Sequence, residues 1–108
     1  MTMDGLRLFF SRWLPLVRFG GSKDYWETRY RLGGNSGDGS YGVPARYKAE
    51  VLNDFVRANQ VRSVIEFGSG DGAQLALATY PEYTGIDVSG NAVELCCKIF
   101  ANDPTKRF

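Results

Sequence analysis

The sequence predicts an α/β fold in which parallel strands are separated by helices. The first observation is the stretch Val64–Gly72, VIEFGSGDG, which predicts a short buried strand running into a glycine-rich turn. The second is Tyr83–Asp87, YTGID, which predicts another strand that ends in an acid. Helical patterns lie before, between and after these strands, and this alternation predicts parallel strands joined by a right-handed crossover.

Composition places the chain among ordinary globular proteins. Of its 108 residues, 44% are hydrophobic and 23% are charged, so we expect one small domain. The net charge of +1 gives no reason to expect a nucleic-acid partner. No uninterrupted apolar run reaches about 18 residues, so no transmembrane helix is expected.

The cysteines and the lack of histidine limit the chemistry. Cys96 and Cys97 are neighbours in a predicted helix, where their side chains point about 100° apart, so they are not expected to form a disulfide with each other. They have no metal-ligand spacing and the sequence has no histidine, so no metal site is predicted. Small core cysteines in a reducing compartment are the simplest interpretation, and we expect a cytoplasmic protein.

Residues 1–22 form an apolar and basic segment. Its apolar side chains share one face at helical spacing, and Pro15 would kink or end that helix. Arginines interrupt the apolar run, so export through a signal peptide is the least favoured interpretation. Two others stay open: an element that packs on the domain, or an amphipathic segment in weak contact with a membrane surface. The apolar face consists of Leu6, Phe9, Phe10, Trp13 and Val17.

Residues 23–43 are aromatic and then rich in glycine. The first part, Lys23–Arg31, predicts a helical turn or two. The second part, Gly33–Gly42, contains five glycines in ten positions and predicts a loop. The segment is either a flexible linker or a lid over a bound cofactor, to which Tyr25, Trp26 and Tyr30 would supply aromatic surface.

Residues 44–108 carry the core of the predicted fold. A helix over 44–59 has Pro44 at its first position and an apolar stripe along one face. Four further elements follow: a strand over 61–67, a helix over 72–80, a strand over 83–87 and a helix over about 89–101. The last helix would be capped by Ser89 or Asn91. Residues 105–108 predict only the approach to a third strand, so we expect the sheet to be truncated after its second strand. The stripe consists of Tyr47, Val51, Leu52, Phe55 and Val56.

Two glycine patterns overlap in the turn after the first strand. Gly68, Gly70 and Ala73 have the spacing of a dinucleotide-binding turn, in which backbone amides at a helix N-terminus face a pyrophosphate. Gly68, Gly70 and Gly72, with Glu66 two positions earlier, have the spacing acid-x-G-x-G-x-G. The turn could also exist for packing alone.

Two features favour the second pattern: Glu66, and the about 60 residues that precede the first strand, where a dinucleotide-binding domain often opens directly with its strand. Asp87 supports a nucleotide site of either kind. Asp87 lies 21 residues after Glu66, where a carboxylate at the end of the neighbouring strand can accept hydrogen bonds from both hydroxyls of a ribose. Glu66 would repel a pyrophosphate but would attract a cationic ligand such as S-adenosylmethionine. Two structural alternatives stay open: Asp87 could satisfy free amides at a helix N-terminus, and Glu66 could be an acid hydrogen-bonded to the turn.

Three segments carry a resemblance to a known family: VIEFGSGDG, Gly85-Ile86-Asp87-Val88-Ser89 and the aromatic residues 25–30. Over about residues 23–108, the chain resembles the class I S-adenosylmethionine-dependent methyltransferases. The resemblance implies a Rossmann-like, mostly parallel seven-stranded sheet, of which this chain would hold the N-terminal part. It implies that Glu66 faces the positive end of the cofactor and that Asp87 and Val88 contact the ribose and adenine. The backbone of the glycine turn (Gly68, Ser69, Gly70, with Gly72 completing the motif) would hold the amino-acid part.

The resemblance implies methyl transfer to an acceptor that the sequence does not identify. It assigns no catalytic residue and no oligomeric state. Two alternatives remain: the nucleotide-binding part of an NAD-type oxidoreductase, and a non-catalytic interaction module that uses an exposed sheet edge and the segment Leu6–Phe19.

Overall fold

The computed structural model describes residues 20–108, which form a small α/β domain with three helices and an open sheet of three parallel strands. The strand order is β1-β2-β3. The predicted amphipathic face of residues 1–19 lies outside the described residues. In chain order the elements are α1 (Ser22–Arg31), α2 (Gly42–Ala58), β1 (Val64–Phe67), β2 (Tyr83–Ile86), α3 (Gly90–Ile99) and β3 (Lys106–Arg107), with short 3₁₀ helices at Asp38–Ser40 and Leu75–Leu77.

Parallel pairing of β1 with β2 confirms the central prediction. Val64 pairs with Tyr83 and Phe67 pairs with Ile86, so the two strands end at the same edge of the sheet. The residues that follow each strand, the glycine turn and Asp87, therefore lie side by side.

A third strand is present, so the expectation that the sheet stops after two strands is wrong. Lys106 and Arg107 pair in parallel with Tyr83 and Thr84. The Tyr83 amide donates to the Thr105 carbonyl at 2.8 Å, which starts the pairing. Two charged residues have no strand propensity of their own, and the free edge of β2 supplies the partner that orders them.

The helix predicted over residues 72–80 is reduced to the 3₁₀ turn Leu75–Leu77. Gly72 has a φ of +83°, which an α-helix does not tolerate, and Ala78 is already extended. Only one α-type hydrogen bond forms here, from the Ala76 amide to the Gly72 carbonyl. The alanine-rich composition suggested a longer helix than these two ends allow.

Helix α2 begins two residues before the predicted start and packs through its small residues. Pro44 is its third residue, still within the first turn where an amide has no partner inside the helix. The buried side chains are Ala45, Ala49 and Val56, so only Val56 of the predicted apolar stripe is buried. The alanines let the helix approach closely, and the larger apolar side chains remain exposed.

One face of the sheet carries the core. On this face Tyr83 is only 2% exposed, its ring stacks on that of Tyr80 at 5.9 Å, and Phe108 packs beside it. Helix α3 covers the same region with Ala92 and Cys96, both fully buried. On the opposite face Ile65 and Phe67 are exposed, Phe67 by 81%. Within residues 20–108, no helix is long and apolar enough to cross a membrane.

Candidate functional site

A cleft of about 420 Å³ lies at the carboxyl ends of β1 and β2. Ligands of open parallel sheets bind at this edge because the turns after neighbouring strands meet there. The cleft is lined by the turn after β1, the start of the segment after β2, and side chains of α1 and α2. Six of the seven predicted cofactor residues line it: Glu66, Gly68, Ser69, Gly70, Asp87 and Val88.

The glycine turn is fixed to the end of β2 by three amides. Those of Gly68 and Ser69 donate to the Ile86 carbonyl at 2.6 and 3.1 Å, and that of Gly70 donates to Asp87 Oδ2 at 2.8 Å. Gly68 has a φ of +81°, and a Cβ added there would meet no atom within 4 Å. The backbone of Gly68 is therefore open to close approach by a ligand.

Gly72, the seventh predicted residue, does not line the cleft. It faces α3, where an added Cβ would lie 2.7 Å from Phe100 Cε2 and 3.3 Å from Cys96 Sγ. The motif glycine at this position makes room for the packing of α3 on the turn.

Two residues that line the cleft each have a buried polar atom without a hydrogen-bond partner in the described part of the chain. The two atoms are Ser69 Oγ, on a side chain that is 7% exposed, and Gln74 Oε1. Gln74 is held by its other amide atom, since Nε2 donates to the Ala45 carbonyl at 3.0 Å. Buried polar atoms nearly always have a partner, so these two are unsatisfied groups in the wall of the cleft.

Asp87 is held with both oxygens in use. Oδ2 accepts the Gly70 amide, and Oδ1 accepts the Ser89 amide at 2.9 Å. The second contact is the helix-terminus interaction that the sequence left open. An ionised carboxylate has about four lone-pair sites, so two protein donors leave capacity for ligand hydroxyls. These contacts fix the carboxylate at the edge of the cleft before any ligand binds.

Glu66 is bonded across the sheet rather than to the turn. The Tyr83 hydroxyl donates to its Oε1 at 2.8 Å. Burial, and then this hydrogen bond, raise the pKa of Tyr83, so the phenol stays protonated and remains a donor. Glu66 thus lines the cleft while one of its oxygens is bonded to Tyr83.

Helix α1 supplies an aromatic wall, formed by Trp26 and Tyr30, to the cleft. The two rings stack with centroids 5.9 Å apart, and Arg29 lies over the Trp26 ring at 5.4 Å. Tyr25, the third aromatic residue proposed for a lid, does not line the cleft but packs edge-on against Trp26 at 5.1 Å.

Asp71 joins the loop after α1 to the glycine turn. Its Oδ2 accepts the Ser36 amide at 3.1 Å and the Tyr41 hydroxyl, and its Oδ1 accepts the Ala73 amide at 3.1 Å. Burial acts to raise the pKa of Asp71, but these hydrogen bonds outweigh it and hold the pKa below its usual value. Burial and the bond to Asp71 raise the pKa of Tyr41 to about 12.

Of the residues that the structure describes, those that bring charge to the cleft are mainly negative. Glu66, Asp71 and Asp87 supply three carboxylates, and Lys48 on α2 supplies one ammonium. This balance disfavours a pyrophosphate and favours a ligand with positive charge. Within residues 20–108, no cluster of three or more potential metal ligands occurs.

Sequence reasoning missed Asp71, Gln74 and Lys48 as cleft residues. Of these three, only Asp71 could have been predicted to line the cleft, because it lies inside the glycine motif. Lys48 and Gln74 reach the cleft through the packing of α2 on the 3₁₀ turn, which no local pattern reveals.

Comparison with models of known protein families, with curated protein sequences and with solved structures gives no match for this chain. The function therefore rests on the residues and geometry of the cleft.

Proposed function

We propose that this chain is the cofactor-binding part of a Rossmann-like, class I S-adenosylmethionine-dependent methyltransferase, and that the cleft holds the cofactor. The observation that carries the proposal is the glycine turn set between two strand-end acids, Glu66 and Asp87, with the unpartnered Ser69 Oγ beside them. This arrangement offers an open glycine backbone, acceptors for hydroxyl groups and negative charge together, as a cationic nucleoside requires.

In this proposal each part of the cofactor has a partner of matching chemistry. Asp87 accepts the ribose hydroxyls, and Val88 provides apolar contact to the base. Glu66 faces the positive end of the cofactor, and the backbone at Gly68 and Gly70, with Ser69 Oγ, binds its amino-acid part. When bound, the cofactor supplies an electrophilic methyl group.

The chain's own contribution to the reaction is to bind and orient. Methyl transfer is an in-line displacement, whose rate depends mainly on how the two reactants are positioned. No residue of the cleft is assigned as a base, and the acceptor is not identified. The free thiols of Cys96 and Cys97 are consistent with the reducing cytoplasm in which we place the protein.

Calorimetric titration with S-adenosylhomocysteine, and separately with NAD, tests the proposal. We expect binding of S-adenosylhomocysteine and none of NAD. The variant Asp87→Ala should weaken that binding at least tenfold, because hydrogen bonds to a charged group contribute about 1.5–3 kcal/mol. Asp54→Ala is the matched control, since Asp54 is an exposed acid on α2 outside the cleft.

Three results would contradict the proposal in different ways. Binding of NAD alone would assign the cleft to an oxidoreductase. Unchanged affinity in folded Asp87→Ala would remove the ribose contact. Absence of nucleotide binding, together with concentration-dependent oligomers, would favour an interaction module that uses the open face at Ile65 and Phe67.

A further inference from the structure

Polar contacts join helix α1 to the rest of the domain. None of its ten side chains is fully buried, although Trp26 and Tyr30 are partly buried and reach into the cleft. Specific hydrogen bonds therefore act together with the partial burial of these two rings to hold the aromatic wall in place.

The first anchor is Glu27, which caps the N-terminus of α3. Its Oε1 accepts from Ser89 Oγ at 2.6 Å and from the Asn91 amide at 2.9 Å. Asn91 Nδ2 also donates to Glu27 Oε2 at 3.2 Å and to the Glu27 carbonyl at 3.3 Å. A carboxylate is well placed here, since free amides and the positive end of the helix dipole meet it.

The second anchor is a reciprocal pair between Ser36 and Asp71. The Ser36 amide donates to the Asp71 carboxylate, and the Asp71 amide donates to Ser36 Oγ at 3.0 Å. Ser36 Oγ also shares a 2.7 Å hydrogen bond with the Tyr30 hydroxyl, so this anchor reaches the aromatic wall directly. Gly70 permits the contact, because a Cβ there would lie 2.4 Å from Ser36 Oγ.

Both anchors contact residues that neighbour the proposed cofactor-binding residues in the chain. Asp71 follows Gly70 in the chain, and Ser89 follows Asp87 and Val88. A ligand that orders the turn or the start of α3 therefore orders the same atoms that hold α1, and the two events are thermodynamically coupled.

We propose that Glu27 and Asp71 are positioning residues that hold the aromatic wall of Trp26 and Tyr30 over the cleft, and so raise its affinity for the adenosyl cofactor. The affinity part of this inference rests on the proposed function, whereas the anchoring part does not. Residues 22–42 are thereby a built wall of the site rather than a linker.

Hydrogen exchange without ligand tests the anchoring. In Glu27→Ala, and to a smaller extent in Glu27→Gln, which keeps one acceptor oxygen, amides of residues 22–42 should exchange at least tenfold faster. Glu94→Gln is the control for Glu27, since Glu94 is an exposed acid on α3. Ser36→Ala tests the second anchor without removing the buried carboxylate, in case Asp71→Asn fails to fold. Unchanged exchange in both Glu27→Ala and Ser36→Ala would overturn the proposal.

Calorimetry with S-adenosylhomocysteine tests the positioning role on the same variants. We expect affinity to fall about tenfold in Glu27→Ala, with Glu27→Gln between it and the wild type. Faster exchange with unchanged affinity would show that the wall does not position the cofactor. If the wild type binds no S-adenosylhomocysteine but the variants exchange faster, the anchors are upheld and the proposed function fails.

Discussion

Replacing Ser69 with alanine should raise the stability of the ligand-free protein and lower its affinity for S-adenosylhomocysteine. Ser69 is 7% exposed, its Oγ has no partner in the described residues, and its Cβ is retained in alanine. An unsatisfied buried polar group costs about 1–3 kcal/mol, so its removal should stabilise the free protein by about 1 kcal/mol. For a domain near this size, that is a rise in melting temperature of about 4–8 °C.

Ser89 provides a matched comparison, because it is also buried but fully bonded. Its Oγ accepts the Ala92 amide at 3.1 Å as the cap of α3 and donates to Glu27. Ser89→Ala should therefore destabilise the protein, by about 1–2 kcal/mol for the loss of the cap. The same chemical change is expected to have opposite signs at two buried serines.

Thermal and urea unfolding of both variants measure these signs, and calorimetry measures the affinity. With Ser69→Ala the affinity should fall about two- to tenfold, the value of one hydrogen bond of about 0.5–1.5 kcal/mol. If Ser69→Ala destabilises the free protein as much as Ser89→Ala does, Ser69 Oγ already has a partner. The reason for treating it as a ligand contact would then be lost.

Three further predictions concern the turn, the carboxylates and the thiols. Gly72→Ala should destabilise the fold by more than about 2 kcal/mol without a specific loss of affinity, because its Cβ would meet α3. Gly68→Ala has a similar φ but open space, so it should cost about 1 kcal/mol and weaken nucleotide binding. Urea unfolding measures the stability of the two variants, and calorimetry measures their affinity. The pKa of Asp71 is lowered from 3.8, so its stabilising contribution is complete above pH 3.8 and is lost as the pH falls through the lower folded value. The free energy of unfolding of Asp71→Asn, measured in urea at a series of acidic pH values, should therefore depend less on pH than that of the wild type. At pH 8 a thiol reagent should modify the exposed Cys97 quickly but not Cys96, because burial raises the pKa of the Cys96 thiol to about 11. Fast modification of both thiols would contradict the packing of α3.

The arrangement of β1, the glycine turn, β2 and Asp87 could be predicted because each part has a local cause. The glycines set the turn, short apolar runs set the strands, and parallel pairing brings the two strand ends together. Six predicted residues accordingly lie in one cleft. Gly72 differs because its surroundings are set by α3, which approaches from a distant part of the chain.

The remaining features depend on pairings between distant segments. Glu27 and Ser89 are 62 residues apart, and Ser36 and Asp71 are 35 apart, so no window of sequence contains both partners. The third strand likewise forms because β2 offers a free edge, and not because Lys106 and Arg107 favour extended structure. Local patterns therefore predict the glycine turn and strand ends of the cleft, and offer the aromatic wall of Trp26 and Tyr30 as one of two alternatives, but they do not predict the hydrogen bonds that hold that wall.

The protein's own hydrogen bonds indicate which charge the cleft presents to a ligand. Asp71 is held ionised by donors from three residues, and Asp87 accepts two backbone amides. Those donors are already present without a ligand, so the carboxylates do not need a cation to be stable in place. Among the residues that the structure describes, the carboxylates nevertheless outnumber the one ammonium, Lys48, that lines the same space. A ligand that brings further negative charge would add repulsion to this site, whereas a sulfonium or ammonium group would relieve it. Of the two nucleotide cofactors that the glycine spacing alone leaves equivalent, the charge balance therefore supports the cationic one that we propose.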